Sequence, residues 1–71
     1  MQILVFKTNL TDTARINDIE TSLDIHPYIY KWNVDLNDED NILRVISNNI
    51  KGAEVETILF NAGYYCEELT D

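Results

Sequence analysis

Apolar residues in this chain alternate between the spacing of a strand and the spacing of a helix. Continuous apolar runs or a period of two are typical of strands, and a period near 3.6 is typical of an amphipathic helix. Two helical segments are marked by Ile16, Ile19 and Leu23, and by Val55, Ile58, Leu59 and Ala62. Strands are predicted over residues 2–7, 28–36, 42–46 and 64–69.

Polar breaks and turn formers separate these segments. Asn9 or Thr11 is expected to cap the first helix, and the His26-Pro27 pair to end it. Residues 47–49 are expected to cap the second helix, and Gly63 to close it in a left-handed turn. The order β-α-β-β-α-β predicts an α+β, ferredoxin-like two-layer sandwich. In this fold both helices lie on one face of a four-stranded antiparallel sheet, here as a single domain over residues 1–71.

Charge and cysteine content exclude several classes of protein. The net charge is −8 and the five basic residues are scattered, which disfavours binding to nucleic acid or to an anionic membrane. One cysteine cannot form an internal disulfide. Because the N-terminus lacks the features of a signal peptide and no apolar run approaches a membrane span, the expected location is the cytoplasm.

Three features resemble a known family. Residues 28–36, YIYKWNVDL, are similar to a second strand of the form G-V-x-x-V-x-V-D-L. Ile16, Ile19 and Leu23 fall where that family has the apolar residues of its first helix, and residues 62–64 match its A-G-Y turn. The chain therefore resembles the heavy-metal-associated (HMA) domain of copper chaperones and metal-transporting ATPases, which implies the same fold and, for typical members, metal transport.

The family's metal motif, G-M-x-C-x-x-C, aligns with residues 9–15. Leu10 stands at the inward-packing methionine, Asp12 at the first cysteine and Arg15 at the second. A carboxylate is a hard ligand and a guanidinium repels cations, so this pair cannot hold Cu(I) as thiolates do. Tyr64 matches a tyrosine that lies beside the metal loop in some bacterial members. The chain is thus interpreted as a variant without the C-x-x-C motif.

No catalytic, cofactor-binding or metal-ligating residue is assigned, and no cofactor is expected. Cys66 is expected to be a small core residue, and His26 to lie in a solvated turn too far from Asp12 to join it. Acidic residues around 37–41 lack the pattern of a calcium loop and are expected to form a solvated turn. Whether Cys66, His26 or this turn binds a metal stays open.

Aromatic and apolar residues suggest an interface. Tyr28, Tyr30 and Trp32 share one predicted strand, and Phe6 and Tyr65 are expected to join them across the sheet. Both faces of the first strand are apolar, so one apolar set must point away from the helices.

The leading hypothesis is a non-enzymatic module for protein interaction or self-association, either as a homodimer through the open sheet face or with another protein. The alternative is a variant metal-binding or metal-transport protein that uses Cys66, His26 or carboxylates. A small enzyme acting through Tyr28, Tyr30, Asn33 and Asp35 is a third hypothesis.

Overall fold

The computed structural model describes residues 1–70 and has the predicted order of elements. The sheet strands are β1 (Gln2–Thr8), β2 (Ile29–Val34), β3 (Leu43–Ser47) and β4 (Cys66–Glu68). The helices are α1 (Thr13–Asp24), which follows β1, and α2 (Gly52–Asn61), which follows β3. The strand order is β2-β3-β1-β4, and all neighbouring strands are antiparallel. The predicted ferredoxin-like fold is confirmed.

One hydrophobic core joins the sheet to the two helices. Phe6 and Val45 from the sheet are fully buried against Ile19 of α1 and Leu59 of α2. Leu10, in the loop before α1, is also fully buried, as predicted for the position of an inward-packing methionine. This core positions the loop between β1 and α1 at one end of the molecule.

The N-terminal cap of α1 differs from the prediction. Asp12, rather than Asn9 or Thr11, is the cap residue, and its carboxylate accepts a hydrogen bond from the backbone of Arg15. Asn9 instead accepts a hydrogen bond of 2.9 Å from the backbone N–H of Tyr65. Both Asn and Asp are good cap residues, so only the tertiary contact of Asn9 decides between them.

The second helix also begins later than predicted. Lys51 is its cap residue and makes no side-chain cap hydrogen bond, whereas Ser47 belongs to β3. A β-carbon at Gly52 would overlap the carboxylate of Glu68, so glycine leaves room for an acidic group at the start of α2. A negative charge is favourable there, because the N-terminus of a helix carries partial positive charge. Gly63 has a φ of 91°, as predicted for a left-handed helix end.

A β-bulge in β2 changes which residues face the core. Ile29 pairs with Ser47 and Lys31 pairs with Ile46, so Tyr30 is the extra residue between them. Ile29 is buried and Tyr30 is 60% exposed, so Ile29 and not Tyr30 faces the core. A bulge breaks strict alternation, and nothing in the local sequence requires it.

The predicted group of aromatic residues does not form. Phe6 is fully buried on the helix side of the sheet, whereas Tyr28 and Tyr65 are exposed. Trp32 packs at the edge of the core and its Nε1–H donates a 2.7 Å hydrogen bond to Asp24. The predicted exposure of one apolar set is confirmed in β1, where Ile3 is 64% exposed.

Candidate metal centre

The loop between β1 and α1 is held by its own charged groups. Asp12 Oδ1 lies 2.9 Å from the backbone nitrogen of Arg15, and Asp12 Oδ2 lies 3.7 Å from Arg15 Nε. Arg15 also donates a 3.4 Å hydrogen bond to the backbone oxygen of Asn9. The carboxylate of Asp12 is therefore engaged by the helix end and by a cation that repels metal ions.

Tyr64 lies beside this loop, as its matching position in the family implies. Its hydroxyl donates a hydrogen bond to Asp18 Oδ2 on α1. This hydrogen bond to Asp18, together with partial burial, raises the pKa of Tyr64, which keeps the phenol neutral. A neutral phenol is a poor metal ligand, so Tyr64 links the segment before β4 to α1 instead of completing a site.

His26 lies at the opposite end of α1 from Asp12, as predicted. Its Nδ1 accepts a 3.2 Å hydrogen bond from the backbone N–H of Tyr28. It borders a surface cavity of about 380 Å³ together with Glu54. One imidazole nitrogen is therefore occupied by the turn, and a single carboxylate borders the same cavity.

The acidic turn between β2 and β3 uses its carboxylates for its own structure. Asp35 Oδ1 accepts a hydrogen bond from the backbone of Asn37, and Asp38 Oδ1 accepts one from Asp40. Asp40 also forms a 3.5 Å ion pair with Lys7. These contacts agree with the predicted turn, and they leave the carboxylates oriented toward the backbone and not toward a shared centre.

Cys66 is less enclosed than the sequence suggested. It is partly buried at the edge of the core, opposite Thr8 of β1, and it also borders a cleft between α2 and β4. The cleft has a volume of about 440 Å³, and Glu56 lines it together with the thiol. The thiol comes from β4 and the Glu56 carboxylate from α2, so their proximity depends on the fold and no local motif indicates it.

The protonation of Cys66 follows from its surroundings. Burial raises the pKa of the thiol to about 12, and the negative charges of Glu56 and Glu68 add to the effect. Glu56 is itself held in place, because its Oε2 accepts a 2.9 Å hydrogen bond from the backbone N–H of Glu68. A metal ion at this cleft must therefore displace a firmly held proton.

Neither a complete metal site nor the proposed catalytic group is present among residues 1–70. No three side chains of His, Cys, Asp or Glu in this range come together as a potential metal site. The polar residues of the enzyme hypothesis are separated, because Tyr30 and Asn33 line different cavities. Over the same range, neither helix has the length and apolar character that crossing a bilayer requires.

Several solved structures with a similar fold are copper domains. The chain is similar to the yeast copper-transporter domain Ccc2a in its apo and Cu(I)-loaded states, with a TM-score of 0.83, 23% identity and coverage of 100% of this chain and 99% of that one. The copper-binding domain of HMA7, a P-type ATPase, has a TM-score of 0.83, 22% identity and coverages of 99% and 96%. A chain of the Atx1–Cu(I)–Ccc2a complex has a TM-score of 0.84, 23% identity and coverages of 100% of this chain and 99% of that one.

These likenesses confirm the predicted HMA fold over the whole chain. With one cysteine in its sequence, the chain lacks the cysteine pair of the typical metal motif, as predicted. Neither a protein-family profile nor a curated protein sequence matches the chain significantly. At identities of 23% or less, the structural likeness establishes the fold of this chain.

The comparisons correct the predicted function. An interaction module without a metal was the wrong choice between the two main hypotheses, because the similar structures named above are copper-binding or copper-transporter domains or contain one. Asp12 and Arg15 exclude a pair of thiolate ligands in the loop between β1 and α1. They do not bear on ligands elsewhere on the surface.

Proposed function

We propose that this chain is a variant heavy-metal-binding domain of the metal-transport kind, which holds its ion with ligands other than a cysteine pair. The proposal is supported by the similarity of the whole chain to copper-handling domains. One observation in the chain itself carries it: the lone thiol, Cys66, borders an open cleft beside Glu56. The domain would act without catalysis and in the cytoplasm, where a lone thiol stays reduced.

The donor set favours one class of ion. Cu(I) selects sulfur ligands, whereas Zn(II) accepts thiolate sulfur together with carboxylate oxygen. A thiolate from Cys66 and a carboxylate from Glu56 would therefore suit a borderline divalent ion such as Zn(II) better than Cu(I). The net charge of −8 raises the local concentration of cations, which adds to the same preference.

Two ligands from one chain leave the coordination of Zn(II) incomplete, since four are usual. The remaining positions would be filled by water or by a partner protein that gives or receives the ion. One relative has been solved in a complex that contains a second protein and Cu(I). An incomplete site favours transfer, because an ion with open positions can be attacked by an incoming ligand.

A zinc titration tests this function. Reduced protein is titrated with Zn(II) against a chromophoric chelator at neutral pH, for the wild type and for Cys66→Ser, Glu56→Gln and Glu54→Gln. The expected result is one bound Zn(II) per chain, with binding at least about tenfold weaker in Cys66→Ser and weaker in Glu56→Gln. Glu54→Gln is the matched control, because Glu54 lies on the same helix but borders the cavity of His26.

Two results would contradict the proposal. One is the absence of zinc binding at micromolar protein, and the other is equal affinity of the wild type and Cys66→Ser. In Glu56→Gln the side-chain oxygen can still accept the hydrogen bond from the backbone N–H of Glu68. A weaker zinc affinity of this variant would therefore report the lost carboxylate and not a lost structural contact.

A further inference from the structure

The side of the sheet that faces away from the helices forms a second surface, remote from the core. Its residues alternate with the core residues along each strand, and their cross-strand pairing places them side by side. We call it the open sheet face and define it by Ile3, Val5, Lys31, Asn33, Arg44 and Ile46. Ile46 pairs with both Ile3 and Lys31, and Arg44 pairs with both Val5 and Asn33.

The charge of this face is opposite to that of the whole chain. Lys31 and Arg44 lie on it, and Lys7 follows Ile3 and Val5 along the same side of β1. Three of the five basic residues of the chain are thus on one side of the sheet, in a protein with 13 acidic residues. Opposite Lys7 stands Glu67, the one carboxylate in the strand ladder on this side among residues 1–70. Most acidic residues lie on the helices and turns.

The basic side chains surround an apolar groove. Ile3, Ile46, Lys31 and Arg44 line a shallow cavity of about 200 Å³, which Asn33 and the edge of Trp32 complete. Ile3 is 64% exposed and adjoins the half-buried Val5 and Ile46, so the exposed apolar surface is contiguous. Within residues 1–70 neither Lys31 nor Arg44 forms an ion pair, so both cations are available to an external carboxylate.

We propose that the open sheet face binds an acidic segment of a partner protein, with an apolar side chain seated between Ile3 and Ile46. Carboxylates on either side of that apolar residue pair with Lys31 and Arg44. Charge complementarity selects this occupant, because an acidic protein segment matches the cations while the groove needs an apolar group between them. Nucleic acid fits less well, since the rest of the surface is strongly negative.

This surface is distinct from the cleft at Cys66, and its binding does not depend on a metal. The test uses a fluorescein-labelled ten-residue peptide of alternating isoleucine and glutamate, added to the full chain in the presence of a metal chelator. An isoleucine–lysine peptide of the same length is the probe control. Binding is followed by fluorescence anisotropy, and the contact residues are located by amide shifts in nitrogen-15 NMR spectra.

Two double variants separate this face from general charge effects. Lys31→Glu with Arg44→Glu reverses the two cations of the groove, and Arg15→Glu with Lys51→Glu makes the same change in net charge elsewhere. We expect at least about tenfold weaker binding in the first variant and a smaller effect in the second. Both variants change exposed side chains, and their amide spectra show whether they remain folded.

Four results would overturn the inference. Equal losses in the two variants would indicate nonspecific attraction, and equal binding of the basic peptide would exclude charge selection. Shifts confined to the helices would place the peptide elsewhere. Self-association that only the Lys31→Glu and Arg44→Glu variant abolishes would identify a second copy as the occupant. The peptide test is done without metal and the zinc titration without peptide. Failure of the peptide-binding inference is therefore distinguishable from failure of the proposed zinc binding.

Discussion

Asp12 Oδ1 accepts a 2.9 Å hydrogen bond from the backbone N–H of Arg15, in the first turn of α1. The two residues that stand in place of the family's cysteines are therefore bonded to each other. A position that serves metal binding in the HMA motif serves helix capping here. The cap gives the first turn of α1 a local backbone interaction.

Removal of this cap should lower stability. We expect Asp12→Ala to reduce the free energy of unfolding by about 1 kcal/mol, because an N–H at the start of α1 loses its acceptor. Asp12→Asn should change it much less, since the Asn side chain also caps well. Urea unfolding followed by circular dichroism measures both variants. Equal losses in the two variants would show that the charge of Asp12, and not its capping oxygen, stabilises the helix.

Two buried hydroxyls should respond oppositely to removal. Ser47 Oγ is buried without a hydrogen-bond partner among residues 1–70, whereas Thr8 Oγ1 donates to the Asn41 oxygen and accepts from the Leu10 N–H. We expect Ser47→Ala to be neutral or to stabilise by about 1 kcal/mol, and Thr8→Val to destabilise by about 1–3 kcal/mol. Thermal and urea unfolding measure both. Destabilisation by Ser47→Ala would reveal an unrecognised partner for that hydroxyl.

The thiol of Cys66 should be unreactive at neutral pH. Burial raises its pKa from 9.0 to about 12, with Glu56 and Glu68 adding to the effect, so the thiolate is scarce. The rate of alkylation by iodoacetamide should keep rising beyond pH 9.0, and Glu56→Gln should increase it near neutrality. A rate that levels off below that pH would contradict the raised pKa.

The same shift makes a prediction about stability. The folded state holds the thiol proton of Cys66 more tightly than the unfolded chain does. The contribution of this thiol to the free energy of unfolding is therefore complete below pH 9.0 and is lost as the pH rises toward about 12. The difference in unfolding free energy between the wild type and Cys66→Ala should therefore shrink over that range. A difference that is constant with pH would show that Cys66 titrates alike in both states.

Tyr64 should titrate at higher pH than a free tyrosine. Its hydrogen bond to Asp18 and its partial burial raise the pKa, because the phenolate would lie beside a carboxylate. In NMR spectra of carbon-13-labelled tyrosine, Asp18→Asn should lower the titration midpoint of Tyr64. Glu20→Gln is the control, since Glu20 is an exposed acid on the same helix. Equal midpoints in the wild type and Asp18→Asn would contradict this assignment.

Local patterns were sufficient for the order of elements and for much of the core. Ile19, Leu23, Val55 and Leu59 are buried at the helical positions that their spacing predicted. Gly63 adopts its left-handed turn for the same local reason, since few other residues tolerate that φ. The sequence alone also predicts that Asp12 and Arg15 cannot bind Cu(I) as two thiolates do, because the functional group of a side chain does not depend on the fold.

Register and contacts between distant segments could not be read in this way. The bulge at Tyr30 shifts the register of β2 against β3. Two other features connect segments that are distant in sequence: the hydrogen bond from Tyr65 to Asn9, and the cleft that Cys66 and Glu56 both line. The collection of Lys7, Lys31 and Arg44 on one side of the sheet has the same origin. Periodicity reports which face of one segment is apolar, whereas the packing of the whole core selects which segments meet and in which register.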